Sequence, residues 1–162
     1  MASTSTARAA LQVTASTILW AISHIWNCDI AAGTGIYVKS STGRGGYIKD
    51  VKVYNCYAST IAVAFGYCFN NDGDLAPCVP EISDLSFEDL TLTGIGKFTG
   101  EHERVEPETA ISIIGLDEKC AIKRVSLKNI ALKYRQMIPN QFMKLNHVED
   151  VSLENIICLG EI

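Results

Sequence analysis

The sequence repeats a nine-residue pattern, and this repeat limits the folds open to the chain more than any other feature. Four segments share the form I/V-x-x-V/L-x-V/L/F-x-N/D-I/L/C. They are Ile48–Cys56, Ile82–Leu90, Ile122–Ile130 and Val148–Ile156. A fifth, Ile22–Cys28, fits if two residues are missing before Asn27. Successive starts lie 26, 34, 40 and 26 residues apart, which indicates a chain built from stacked units.

Each unit contains residues that alternate between apolar and polar, as in a strand with one buried face. Val51 and Val53 are an example. A second alternating run lies between successive repeats, in Gly35–Lys39, Thr60–Phe65, Ala110–Ile114 and Phe142–Leu145. Two or three short strands per unit, with almost no helical periodicity, predict an all-β chain folded as a parallel β-helix of about five coils.

An Asn or Asp recurs near the end of each repeat. These residues are Asn55, Asp89, Asn129 and Asn155. Asn and Asp tolerate the left-handed conformation that a sharp corner requires, and stacked amides can hydrogen-bond to one another. We therefore expect a column of corner residues without a catalytic role.

The repeat divides the chain into an N-terminal segment, residues 1–21, and predicted coils over residues 22–162. The segment has two interpretations. It is either a short cap over the end of the coils, or sequence without a native role, left where a longer protein was cut short. The buried face of a cap would be Leu11, Val13, Ile18, Leu19 and Trp20. An uncovered end would favour self-association.

Charge and hydropathy exclude two classes of protein. The net charge is −4, which argues against general nucleic-acid binding, because such binding relies on clustered Lys and Arg. The apolar stretches are shorter than the ~20 residues that span a bilayer, so no membrane segment is expected. The charge is nevertheless uneven, since residues 1–60 sum to +3 and residues 61–162 to −7. No signal peptide is recognisable.

The six cysteines contain no C-x-x-C pair, so neither a zinc site nor a cofactor is expected. Most of them are expected to be small buried apolar residues. Cys68 and Cys78 flank a polar loop and could close it in an oxidising compartment. The acidic loops at residues 70–74 and 101–108 lack the ligand spacing of a calcium loop, and we expect them to be solvated.

The stretch Asn27–Val53 resembles the polygalacturonases, the pectin hydrolases of glycoside hydrolase family 28. In that family a G-I-R-I-K-T strand precedes G-R-G-G-Y/F-V. Here Gly35–Ser40 reads GIYVKS and Gly43–Ile48 reads GRGGYI. The resemblance covers roughly residues 22–162. It implies a right-handed parallel β-helix, inverting hydrolysis of α-1,4-galacturonosyl bonds, an acidic polysaccharide as partner, and secretion.

The resemblance also implies the residues that bind substrate. In the family's R-I-K motif, Arg and Lys bind a substrate carboxylate, and Lys39 takes the position of that Lys. Tyr37 stands in place of the Arg, where it can stack on a sugar or donate one hydrogen bond but cannot form a bidentate pair. Residues two apart on a strand share a face, so Tyr37 and Lys39 are expected to point outward together. Arg44 is either a donor that stabilises the turn or a second anion contact.

The family's catalytic carboxylates come from N-T-D, D-D and G-H-G motifs upstream of R-I-K, and none of these motifs occurs in this sequence. The adjacent acids that do occur are Glu88-Asp89, Asp117-Glu118 and Glu149-Asp150, and we expect them at corners or in solvent. The chain thus resembles the C-terminal half of a pectin hydrolase. We assign no catalytic residue and expect an inactive fragment. The alternatives are a module that binds acidic polysaccharide through Lys39, Arg44, Lys49 and Lys52, or a purely structural β-helix.

Overall fold

The computed structural model describes residues 11–14, 23–30, 35–42, 45–66, 79–94, 109–134 and 142–160. Over these residues the secondary structure is all β, without a helix. The strands are β1 (Leu11–Thr14), β2 (Ser23–Trp26), β3 (Asp29–Ile30), β4 (Ile36–Ser41), β5 (Tyr47–Ile48), β6 (Val51–Ala58), β7 (Ile61–Gly66), β8 (Glu81–Leu92), β9 (Ile111–Ile114), β10 (Ile122–Tyr134), β11 (Met143–Asn146) and β12 (Val148–Gly160).

The strands form two sheets, and every pairing between them is parallel. The five-stranded sheet has the order β1-β4-β7-β9-β11. The seven-stranded sheet has the order β12-β10-β8-β6-β2, with β3 beside β6 and β5 beside β8. The chain passes alternately from one sheet to the other. The prediction of an all-β, parallel architecture is confirmed, and the architecture is consistent with the β-helix class.

Left-handed residues explain the unequal spacing of apolar positions in the repeat. In β8 the buried apolar side chains are Ile82, Leu85, Phe87, Leu90 and Leu92, so their spacing alternates between three residues and two. Each interval of three contains a residue with positive φ, Asp84 (57°) or Asp89 (53°). A residue in this conformation turns the strand, and the next inward position is therefore three residues on rather than two.

The strand register stacks equivalent apolar residues into columns that form the core. One column contains Val53, Phe87, Leu127 and Leu153. The first three are at most 1% exposed, whereas Leu153 on the edge strand β12 is 50% exposed. Each layer is therefore covered by the next, and the core column remains open at β12.

The predicted corner column is confirmed. Asn27, Asn55, Asp89, Asn129 and Asn155 all have φ between 50° and 55°. The amide of Asn55 donates to Asn27 Oδ1 at 2.6 Å, that of Asn129 to Asp89 Oδ1 at 2.8 Å, and that of Asn155 to Asn129 Oδ1 at 2.9 Å. Each amide thus donates to the preceding layer. Asp89 accepts a hydrogen bond from Asn129 but, unlike Asn, has no side-chain amide with which to donate onward.

The N-terminal segment contributes β1 to the five-stranded sheet, where Leu11 lies opposite Ile36 and Val13 opposite Val38. Ile18, Leu19 and Trp20, the other members of the expected cap, lie outside the described residues. Within the described ranges, no helix has the length and apolar character needed to cross a membrane.

Candidate binding site

Strand β4 positions the two predicted binding residues, Tyr37 and Lys39. Ile36 and Val38 belong to the core cluster, so Tyr37 and Lys39 point to the opposite face of the strand. The Lys39 Nζ lies 5.3 Å from the centroid of the Tyr37 ring. This is within the range of a cation–π contact. The expectation that both side chains share one outward face is confirmed.

The burial of Tyr37 differs from the expectation of an exposed side chain. Tyr37 is only 4% exposed, so its ring does not offer an open face for stacking on a sugar. The ring lies beneath the ammonium group of Lys39, which is half-buried. Arg44, the third predicted contact, lies outside the described residues.

A second lysine lies on the same outer face. The register places Tyr37, Ala62, Ser112 and Lys144 in one row across β4, β7, β9 and β11. Three strand spacings of ~4.8 Å, with a two-residue offset of ~6.6 Å, separate Lys39 from Lys144 by about 16 Å between Cα atoms. The sequence did not single out Lys144, because its relation to Lys39 depends on the register.

The face between these lysines carries small or neutral side chains. Ala62 and Ser112, in the middle of the row, are buried at 1% and 2% exposure. Across the five strands of this sheet the sequence is LQVT, IYVKSS, IAVAFG, ISII and MKLN, so its charged residues are Lys39 and Lys144. The described strands of this sheet therefore carry positive charge alone.

Gly35 fixes the start of β4 against the next layer. It has φ of 72°, and a Cβ at this position would lie 2.6 Å from both the backbone N and O of Thr60. The Ile36 N–H also donates to the Thr60 carbonyl at 2.9 Å. A glycine is required here both by the backbone conformation and by this close approach.

The seven-stranded sheet carries carboxylates, and several of them form ion pairs. Arg124 Nε and Nη2 donate to Asp84 at 2.5 and 3.0 Å, and the Arg124 hydrogen bonds lower the pKa of Asp84 to about 2. Three lysines extend this pattern: Lys49 lies 3.0 Å from Glu81, Lys123 lies 3.1 Å from Glu149, and Lys128 lies 3.5 Å from Glu154. These acids balance cations on their own sheet.

A second column of left-handed residues, which the repeat pattern did not predict, lies at the third position of the repeat. Asp50, Asp84, Arg124 and Asp150 have φ of 55°, 57°, 53° and 55°. The signal was present in the sequence as D, D, R and D at equivalent positions. The Arg in this series made the column difficult to recognise from the sequence, because Arg rarely adopts the left-handed conformation. In the structure, Arg124 is paired with the carboxylate of Asp84 in the neighbouring layer.

The structure agrees with the expectation for the adjacent acids and differs from the expectation for the cysteines. Asp89 and Asp150 are corner residues and Asp117 is exposed, as expected for the adjacent acids. Most described cysteines are not buried, which corrects the expectation: Cys56 is buried, Cys120 is intermediate, and Cys28 and Cys158 are exposed. The strand pattern did not reveal this difference, because Cys158 lies on the uncovered edge strand β12.

Several expectations fall on undescribed residues or concern metals. Cys68, Cys78 and both acidic loops lie outside the described residues. In the part of the chain that the structure describes, no group of His, Cys, Asp and Glu could hold a metal ion.

Comparison with protein-family models gives no match, and no curated protein matches the sequence.

Proposed function

We propose that the chain binds an acidic polysaccharide, of the polygalacturonate type, on the outer face of the five-stranded sheet and does not cleave it. The proposal includes the finer fold, a right-handed parallel β-helix of about five coils, and a relationship to the polygalacturonases. The observation that carries it is the pair of lysines, Lys39 and Lys144, on a face whose described strands contain no acidic residue.

Charge and spacing support a polymeric anion as the ligand. Two lysines whose Cα atoms are about 16 Å apart match a chain that carries a carboxylate on every sugar, because one polymer can contact both lysines at once. Between the lysines, the buried Ala62 and Ser112 add no charge to the row. In this proposal the Tyr37 ring supports and orients Lys39 through the cation–π contact.

The placement of the acids supports binding rather than hydrolysis. Inverting hydrolysis needs two carboxyl groups on opposite sides of the scissile bond, ~6.5–9.5 Å apart. The acids of β8 and β12 lie on the other sheet, and Arg124 lowers the pKa of the most strongly paired of them, Asp84, to about 2, so this carboxyl is ionised at neutral pH. An ionised carboxylate cannot serve as the general acid.

Affinity electrophoresis in gels that contain polygalacturonate tests the proposal. We expect the wild type to be retarded, and Lys39→Met and Lys144→Met each to reduce the retardation. Lys133→Met removes the same charge from an exposed position on β10 of the other sheet, and it should leave the retardation unchanged. A wild type that migrates equally in gels with and without polymer would contradict the proposal.

A reducing-sugar assay tests the absence of cleavage separately. Purified protein incubated with polygalacturonate should release no new reducing ends. Turnover that disappears in Lys39→Ala would show instead that the chain is a hydrolase.

A further inference from the structure

Trp26 on β2 and Tyr54 on β6 form an exposed aromatic pair on the outer face of the seven-stranded sheet. Their ring centroids are 5.9 Å apart with an interplanar angle of 9°. The register places Trp26 directly opposite Tyr54. Trp26 is 51% exposed and Tyr54 is 40% exposed. Because the two rings stack on one another, they form one contiguous exposed apolar patch, the kind of surface found at interaction sites, rather than two isolated surface residues.

The stacking leaves one face of the indole available. Tyr54 covers the face of Trp26 that points toward β6. On its other side β2 is an edge strand of the described sheet, so the second indole face is directed away from the described strands. Tyr54 thus holds the indole in a fixed orientation, which reduces the ordering cost when a flat partner binds to the open face.

Polar groups surround this pair and indicate the chemistry of the partner. Lys52 lies two residues before Tyr54 on the same face, is exposed, and forms no ion pair within the described ranges. The corner amides of Asn27 and Asn55 are also exposed and immediately follow the two aromatic residues. Glu88, the next residue in the Tyr54 row, lies 3.9 Å from Lys128, an ammonium group that it shares with Glu154 at 3.5 Å.

We propose that Trp26, Tyr54 and Lys52 form a binding site for a uronate sugar. The apolar C–H face of the pyranose ring stacks on the open indole face, the ammonium group of Lys52 pairs with the sugar carboxylate, and the corner amides bind hydroxyl groups. The ligand class matches that of the proposed function, but the site lies on the other sheet, so the two proposals can fail independently.

The test uses calorimetric titration with tetragalacturonate in the full chain carrying Lys39→Met and Lys144→Met, which removes the lysines of the five-stranded sheet. Binding should persist in this background. Trp26→Ala should weaken it by about tenfold, equivalent to ~1.4 kcal/mol. Lys52→Met should weaken it and reduce its dependence on salt, since a charge pair is screened by added ions.

Controls separate this site from structural roles of the aromatic pair. Tyr57→Ala removes another exposed tyrosine of β6, beyond the Asn55 corner, and should leave affinity unchanged. A neutral galactose tetramer should bind at least tenfold more weakly than the uronate. The proposal is overturned if Trp26→Ala binds as tightly as its parent, if the neutral tetramer binds equally well, or if Trp26→Ala changes only thermal stability or self-association.

Discussion

Leu127 and Leu153 test whether the core is a set of covered layers. They have the same side chain and lie opposite one another in one column, on β10 and β12. Leu127 is 0% exposed between Phe87 and Leu153, whereas Leu153 is 50% exposed with a neighbour on one side. Truncation of each to Ala therefore removes the same atoms from a closed and an open layer.

The expected losses follow from burial. Leu→Ala removes three carbons, worth about 2.4 kcal/mol of transfer free energy at ~0.8 kcal/mol each when fully buried. At Leu127 the cavity adds to this, and we expect a loss of about 3–4 kcal/mol. At Leu153 roughly half of the transfer term is lost without an enclosed cavity, so we expect about 1 kcal/mol.

Urea unfolding followed by circular dichroism measures both variants against the wild type. Leu127→Ala should be the more destabilised of the two variants by about 2 kcal/mol. Equal losses, within the ~0.5 kcal/mol over which such comparisons hold, would refute the reasoning, because they would mean that β12 is covered as fully as β10.

Three further predictions concern a turn, a salt bridge and a thiol pair. Gly35→Ala should destabilise the chain by more than ~2 kcal/mol, since it combines positive φ with a backbone clash; an unchanged melting temperature would contradict this. Arg124 lowers the pKa of Asp84 from 3.8 to about 2, so the pair stabilises above about pH 4 and its contribution falls away as pH drops toward 2. The side chains are partly exposed, so we expect less than ~1 kcal/mol, abolished in Asp84→Asn. Cys28 lies opposite Cys56 between paired neighbours, and oxidised glutathione should link them, which mass spectrometry of the non-reduced protein would detect; a disulfide from Cys56 to a cysteine other than Cys28 would contradict the register.

Much of the fold could be predicted from the sequence, because the repeat records backbone geometry directly. Asn55 and Asn129 mark left-handed corners, and the apolar spacing of three and two follows from those corners. Asn marks a left-handed position in the sequence because it favours positive φ. Arg does not favour positive φ, so the left-handed column that contains Arg124 could not be predicted from the sequence. Its stabilising partner, Asp84, lies 40 residues away in sequence.

The candidate site was less predictable. The alternation of apolar and polar residues correctly placed Tyr37 and Lys39 on one face of the strand. Such alternation does not predict how exposed that face is to solvent, and Tyr37 is buried. Lys144 and the pairing of Trp26 with Tyr54 depend on register between strands. Because the repeats are separated by different numbers of residues, the sequence alone does not show which residues lie opposite one another in neighbouring strands.

The central claim is that Lys39 and Lys144 bind one acidic polymer together, and calorimetry with galacturonate oligomers of increasing length tests it most directly. In a Trp26→Ala background, affinity should rise sharply once the oligomer is long enough to span the ~16 Å between the Cα atoms of the two lysines. Lys39→Met or Lys144→Met should each remove that rise, and Lys133→Met should not. Affinity that is independent of length, or a rise that persists in both lysine variants, would contradict the claim.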